Sequence, residues 1–165
     1  MDNLQKRFSK IYDQHVSRIY RFAYLRVNSK DIAQDITSET FTRAWNKFRA
    51  DNPESKVKNW TGFLYQIARN LLTDFYREQA KVQIISASYV ADPSMGLEEK
   101  AFLNSDVEQI KSALSRLGQE QQEVIIWRYL DGLSIREIAS VLDKPEATIR
   151  VIIHRARKVL KGAVL

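Results

Sequence analysis

A chain of 165 residues has room for one helical domain or two small ones, and either buries enough apolar surface to fold without cross-links. It contains no cysteine, which excludes a disulfide framework and a thiolate metal site and suits a reducing cytoplasm. The first residues do not read as a signal peptide, and no apolar run is long enough for membrane insertion. A formal charge of +6 favours polyanionic partners.

Five glycines, three prolines and apolar residues at helical spacing almost throughout predict an all-α fold. The first helix, over about residues 4–27, places Phe8, Ile11, Tyr12, His15, Ile19, Phe22 and Ala23 on one stripe. Asn28-Ser29-Lys30 breaks it. A second helix, about 31–48, turns Ile32, Ile36, Phe41, Ala44, Trp45 and Phe48 inward. Its other face carries Asp31, Asp35 and Glu39 at i, i+4 and i+8, with Ser38 beside them. Like charges at that spacing cost about 0.2–0.5 kcal/mol per pair, so a basic protein partner is one explanation. Preference for the helix N-terminus is the other, and it covers Asp31 and Asp35 but not Glu39.

Residues 49–56 read as a loop, since Asn52-Pro53 and clustered small polar residues resist a helix. A third helix, about 60–78, buries Trp60, Phe63, Leu64, Ile67, Ala68, Leu71, Leu72 and Phe75. Its outer face is expected to carry Tyr65, Arg69, Asn70, Tyr76 and Arg77, with Lys56, Lys58 and Asn59 leading in. Aromatics interleaved with basic and amide groups suit unpaired bases: stacking contributes about 1–3 kcal/mol per base while the cations hold phosphates. The plainer alternative makes Tyr65 and Tyr76 half-buried rim residues.

Between residues 79 and 104 helical period lapses and turn signals concentrate, as expected of a flexible linker. Ser105 and Glu108 form one candidate capping box, starting a helix that Gly118 ends; a further helix covers about 120–130. Ser134 and Glu137 form a second box, opening a helix with Ile135, Ile138, Ala139 and Leu142 inward. After a turn at Asp143-Lys144-Pro145, the last helix buries Ile149, Ile153, Ala156 and Leu160 and turns Arg150, Val151, His154, Arg155 and Lys158 outward. Two helices so joined read as a helix-turn-helix whose second member enters a major groove. From Ala147 onward the helix carries Arg150, Arg155, Arg157, Lys158 and Lys161 without an acidic residue. An ordinary solvated helix interleaves both signs, which argues against that alternative. The expected domains are therefore 1–78 and 105–165, with a linker at 79–104.

Three segments together resemble the sigma-70 family of bacterial transcription initiation factors, in its extracytoplasmic-function (ECF) branch. Residues 31–45 (DIAQDITSETFTRAW) are similar to the region 2 segment that docks on the clamp helices of core RNA polymerase. FLYQIARN at 63–70, followed by DFYR at 74–77, is similar to the part that recognises the −10 element. Ala113-Leu114, Leu117, residues 121–125, Gly132-Leu133-Ser134, Glu137-Ile138-Ala139 and Thr148-Ile149-Arg150 with His154-Arg155-Ala156-Arg157 resemble region 4.

The resemblance implies roles. Asp31, Asp35, Ser38 and Glu39 would face the polymerase clamp. The loop at 49–58 would capture a flipped promoter base, with Lys56 and Lys58 nearby, while Asn59, Tyr65, Arg69, Asn70, Tyr76 and Arg77 would hold the opened strand. Thr148, Arg150, Val151, His154 and Arg155 would meet the −35 duplex, with Arg157, Lys158 and Lys161 on phosphates. Gly118 and Gln122 replace the commoner proline and arginine of the segment facing the polymerase flap. Asp143 stands where the family often has glycine, so the turn is expected to use aspartate's tolerance of left-handed backbone.

The implied partners are core polymerase, single- and double-stranded promoter DNA and an anti-sigma protein. A flexible linker spans roughly 30 Å on average, against roughly 70 Å for DNA elements two turns apart, so free domains would not hold promoter spacing. No catalysis, metal or other cofactor is implied: His15 and His154 are the only histidines, and no glycine-rich phosphate loop exists. The competing reading is a stand-alone dimeric regulator on duplex operator DNA, which leaves the acidic stripe and the aromatic-basic helix unexplained.

Overall fold

The computed structural model describes residues 3–27, 29–50, 57, 59–85 and 105–164. Those residues form α1 (Asn3–Arg26), α2 (Lys30–Ala50), α3 (Trp60–Ile85), α4 (Ser105–Leu114), α5 (Gln119–Ile125, continued by a π-helical turn Ile126–Leu130), α6 (Ile135–Leu142) and α7 (Glu146–Val164). No strand occurs among the described residues. The linker expected at 79–104 lies largely outside the described residues, but its first part is helical: α3 runs past Glu78 to Ile85.

Helices α1–α3 form one bundle. Ser29 starts α2 by accepting the Ile32 N–H at 3.3 Å, and Asn59 starts α3 by accepting the Gly62 N–H at 3.1 Å. Phe22, Ala23, Ala33, Ala44, Leu64, Ala68 and Leu72 are fully buried between the three helices. Tyr12, expected on the buried stripe, is instead 42% exposed and meets Phe41 edge-on at the margin. His15 is buried; its Nδ1 donates to the Ile11 carbonyl at 2.8 Å, and Nε2 pairs with the Thr61 hydroxyl at 3.0 Å. These contacts make it a bundle residue.

The second bundle is α4–α7. The box at Ser134 forms as expected: Glu137 N–H donates to Ser134 Oγ at 3.1 Å and Ser134 N–H to Glu137 Oε1 at 3.0 Å. Asp143 ends α6 in left-handed backbone (φ 54°, ψ 50°), so the turn is made without glycine. Gly132, at φ 72°, is also left-handed and bends the chain from the π-helical turn into α6. Lys144 Nζ reaches Glu120 Oε1 at 2.6 Å and ties the turn to α5.

The two bundles share a single core. Trp127, fully buried, lies 5.4 Å from the Phe22 ring and 5.5 Å from the Tyr65 ring, so the π-helical turn is wedged between α1 and α3. The seam continues at Gln66, whose amide donates to the Val141 carbonyl at 3.1 Å, and at Lys111, whose ammonium donates to the Val27 carbonyl at 3.1 Å.

Candidate nucleic-acid and polymerase interfaces

Helix α7 presents the surface its periodicity predicts. Ile149, Ile153 and Ala156 are buried, Thr148 is half-buried, and Arg150, Val151, His154, Arg155, Arg157, Lys158 and Lys161 are exposed. Val151 stands 46% exposed among these cations. The only acidic residue of α7 is Glu146 in its first turn. Tyr129, 54% exposed, flanks the far end of the helix.

On α2, Asp31, Asp35, Ser38 and Glu39 are all exposed along one side. Glu39 is not an unpartnered charge, however: Arg43 Nε donates to its Oε1 at 3.0 Å one turn on. That local ion pair offsets part of the repulsion that had pointed to an external partner. Ser38 also lines a shallow groove with Phe8, Tyr12, Phe41 and Trp45, so apolar surface borders the acids.

The α3 surface differs from its expected form. Asn70 and Arg77 are exposed, the latter 3.9 Å from Asp74. Tyr65 is not on an outer face: it is 1% exposed, packed on Phe22 and Trp127, and its hydroxyl donates to the Asp131 carboxylate, which also receives Arg21. Burial and the adjacent carboxylate push the phenol well above its ordinary range. Tyr76 is half-buried with the Arg26 guanidinium 5.6 Å over its ring. Arg69 lies part-buried, with Nε 2.7 Å from Glu123 Oε2. Asn59 has its side-chain oxygen engaged as the α3 cap. Lys56 and Lys58 lie outside the described residues.

Residues overlooked in the sequence complete this seam. Glu123 has a fully buried side chain between Arg69, at 2.7 Å, and Arg26, at 3.9 Å. Desolvation pushes its carboxyl above the ordinary range, partly countered by Arg26 and Arg69. A sequence signal was available, because Glu123 precedes the apolar run Val124-Ile125-Ile126-Trp127, where an ionisable group requires buried partners. Among the described residues no cluster of three or more potential metal ligands occurs, and no helix is long and apolar enough to cross a membrane.

The profile described as Sigma-70 region 2 matches residues 11–82, and that described as Sigma-70, region 4 matches residues 107–160. The chain belongs to the sigma-70 family. Similar proteins include the ECF RNA polymerase sigma factors BldN of Streptomyces coelicolor (31% identical over 156 residues, 93% of this chain and 58% of that relative) and SigX of Bacillus subtilis (29% over 165 residues, 96% and 84%). SigM of Bacillus subtilis is 28% identical over 154 residues, 93% of this chain and 92% of the relative. The chain thus spans little over half of BldN but most of SigX and SigM.

In fold it is similar to the sigma factor RpoE of Bartonella quintana, solved with the anti-sigma factor NepR (TM-score 0.75, 22% identity, 96% of this chain and 97% of that one). It is also similar to CnrH, solved with the cytosolic domain of CnrY (TM-score 0.71, 22% identity, 97% and 88%). This sigma factor is a transcription initiation factor of the ECF group, with region 2 on α1–α3 and region 4 on α4–α7.

Proposed function

We propose that this sigma factor works in the cytoplasm with no catalytic chemistry, metal or cofactor of its own, by docking on core RNA polymerase and bringing it to specific promoters. Asp31, Asp35, Ser38 and Glu39 meet the basic side of the clamp helices, and region 4 meets the flap. Arg150, Val151, His154 and Arg155 read the −35 duplex, while Arg157, Lys158 and Lys161 hold phosphates. Lys56, Lys58, Asn59, Tyr65, Arg69, Asn70, Tyr76 and Arg77 hold the −10 strand. Unstacking a base costs a few kcal/mol, which stacking and phosphate contacts offset.

The observation that carries this reading is the presence, in one chain, of the cationic α7 face and the acidic α2 face in the order of the two matched regions. Charge reversal at Asp35 and Glu39 tests it: promoter opening by core polymerase is lost, while duplex binding by α7 is kept. Equal opening by the reversed variant contradicts the docking assignment. RpoE was solved with the anti-sigma factor NepR, which supports a similar repressor for this chain. Purification from its source cell under repressing conditions without a stoichiometric partner argues against that.

A further inference from the structure

Polymerase and promoter contacts have been assigned to α2, α3 and α7, and α1 carries none of them. Its first turns hold Lys6, Arg7 and Lys10, all exposed and on one side of the helix at i, i+1 and i+4. Within α1 no acid precedes Asp13, and none of the three cations is ion-paired with a described residue. Two effects oppose this arrangement. Lys6 and Arg7 stand at the positive end of the helix dipole, and Lys6 and Lys10 are like charges one turn apart. Lys47 and Arg49, in the last turn of α2, are different: cations suit a helix C-terminus and need no ligand to explain them. An anion beside the first turns of α1 offsets both effects there.

The place of these cations in the fold identifies the anion. Phe8, next to Arg7, packs on Phe48 at 5.6 Å and on Trp60 at 6.3 Å, and the Arg7 guanidinium lies over the Phe48 ring, 5.7 Å from its centroid. Trp60 opens α3 beside its cap Asn59, so the α1 cations stand at the N-terminal end of the strand surface. Region 4, assigned to the upstream −35 duplex, follows the opposite end of α3 in the chain. A strand laid along α3 therefore runs from Arg77 upstream to Asn59 downstream, and its next phosphates pass the first turns of α1. A guanidinium resting on an aromatic face is held ready to present its planar fork to a phosphate.

We propose that the N-terminal turns of α1 are a further single-strand site, in which Lys6, Arg7 and Lys10 hold backbone phosphates of the unpaired promoter strand just downstream of the segment on α3. The proposal rests on the strand-binding role of α3 given above. The α1 site is indifferent to sequence, because it offers cations to the backbone and sets no pattern of donors and acceptors against base edges. Three phosphates neutralised on a single strand account for about two units of slope in log affinity against log salt.

The test uses core polymerase with the full chain and fluorescein-labelled forked promoters. Each fork has a duplex −35 half and a single-stranded −10 half, which either stops at the end of the −10 element or continues beyond it. Lys6→Ala combined with Arg7→Ala and Lys10→Ala binds the longer fork about tenfold or more weakly than the native chain does at low salt. It also lowers the salt slope on that fork by about two units and binds the shorter fork as the native chain does. The three side chains are exposed, so the fold is kept, and circular dichroism of the variant checks this. Arg7→Lys, which keeps the charge and loses the fork, retains the salt slope while weakening the longer fork alone.

Equal affinity of native and triple variant for the longer fork overturns the α1 site. An equal loss on both forks also overturns it, because the cations then act on something other than the added strand. Native chain and core are scored against core alone in the same titrations. A native chain that improves fork binding while the triple variant matches it removes the α1 site and leaves the sigma reading standing, whereas no improvement over core alone removes both.

Discussion

Replacing Tyr65 with phenylalanine deletes one hydroxyl and leaves the ring contacts with Phe22 and Trp127 in place. The lost bond runs to Asp131, whose side chain is fully buried and has Arg21 as its other partner. A hydrogen bond to a charged group contributes about 1.5–3 kcal/mol, and the carboxylate left behind is partly stripped of its solvation shell. The folded chain should weaken by that amount, about a 10- to 150-fold change in the folded-to-unfolded ratio. If unfolding remains a single transition, the melting temperature falls by roughly 3–12 °C. Urea unfolding followed by circular dichroism gives the stability change. A midpoint indistinguishable from that of the native chain would refute the Tyr65–Asp131 bond and the seam built on it.

Glu123 makes the seam pH-sensitive. Its carboxyl is raised in the folded chain by desolvation, against the pull of Arg26 and Arg69, so between the ordinary and the raised value folding takes up a proton. The stability it contributes is therefore full below the ordinary carboxylate range and is lost as pH rises through the raised value. The difference in urea stability between the native chain and Glu123→Gln, read against pH at fixed ionic strength, follows this slope; a difference of opposite sign, or one independent of pH, contradicts the assignment. On α7, Arg150→Ala changes which base pairs of the −35 duplex are preferred, at about 1–3 kcal/mol for the position read. Lys158→Ala weakens all duplexes alike and reduces the slope of log affinity against log salt by about one unit, measured by anisotropy titrations.

Local chemistry was readable from the chain because it spans few residues. Ser134 and Glu137 are three positions apart and form their box as written, and Ile149, Ile153 and Ala156 share the face that 3.6-residue spacing assigns them. Asp143 takes the left-handed turn that its side chain tolerates. The seam was not readable, for a physical reason. Periodicity tells which face of a helix is apolar, but Tyr65 is buried by residues 62 and 66 positions away, from a bundle that its own helix does not predict.

The misreading of Tyr65 as an outward aromatic follows from the same limit, since tyrosine suits a wet rim as well as a core. Glu39 is the converse case. Its partner Arg43 was in view one turn along, and only the geometry shows that the pair closes. Helix α3 outran its expected end because residues 79–85 lack an apolar stripe strong enough to mark them, yet also lack a breaker.

The central claim is that this chain acts through a polymerase and supplies both promoter contacts to it. It is tested most directly with promoter DNA carrying 2-aminopurine in the −10 element, mixed with core polymerase, with the native chain, or with both. Fluorescence from unstacked bases should rise only when both are present, and should not rise with the chain reversed in charge at Asp35 and Glu39. Tight binding of promoter duplex by the chain alone, with no melting added by core polymerase, would contradict the account.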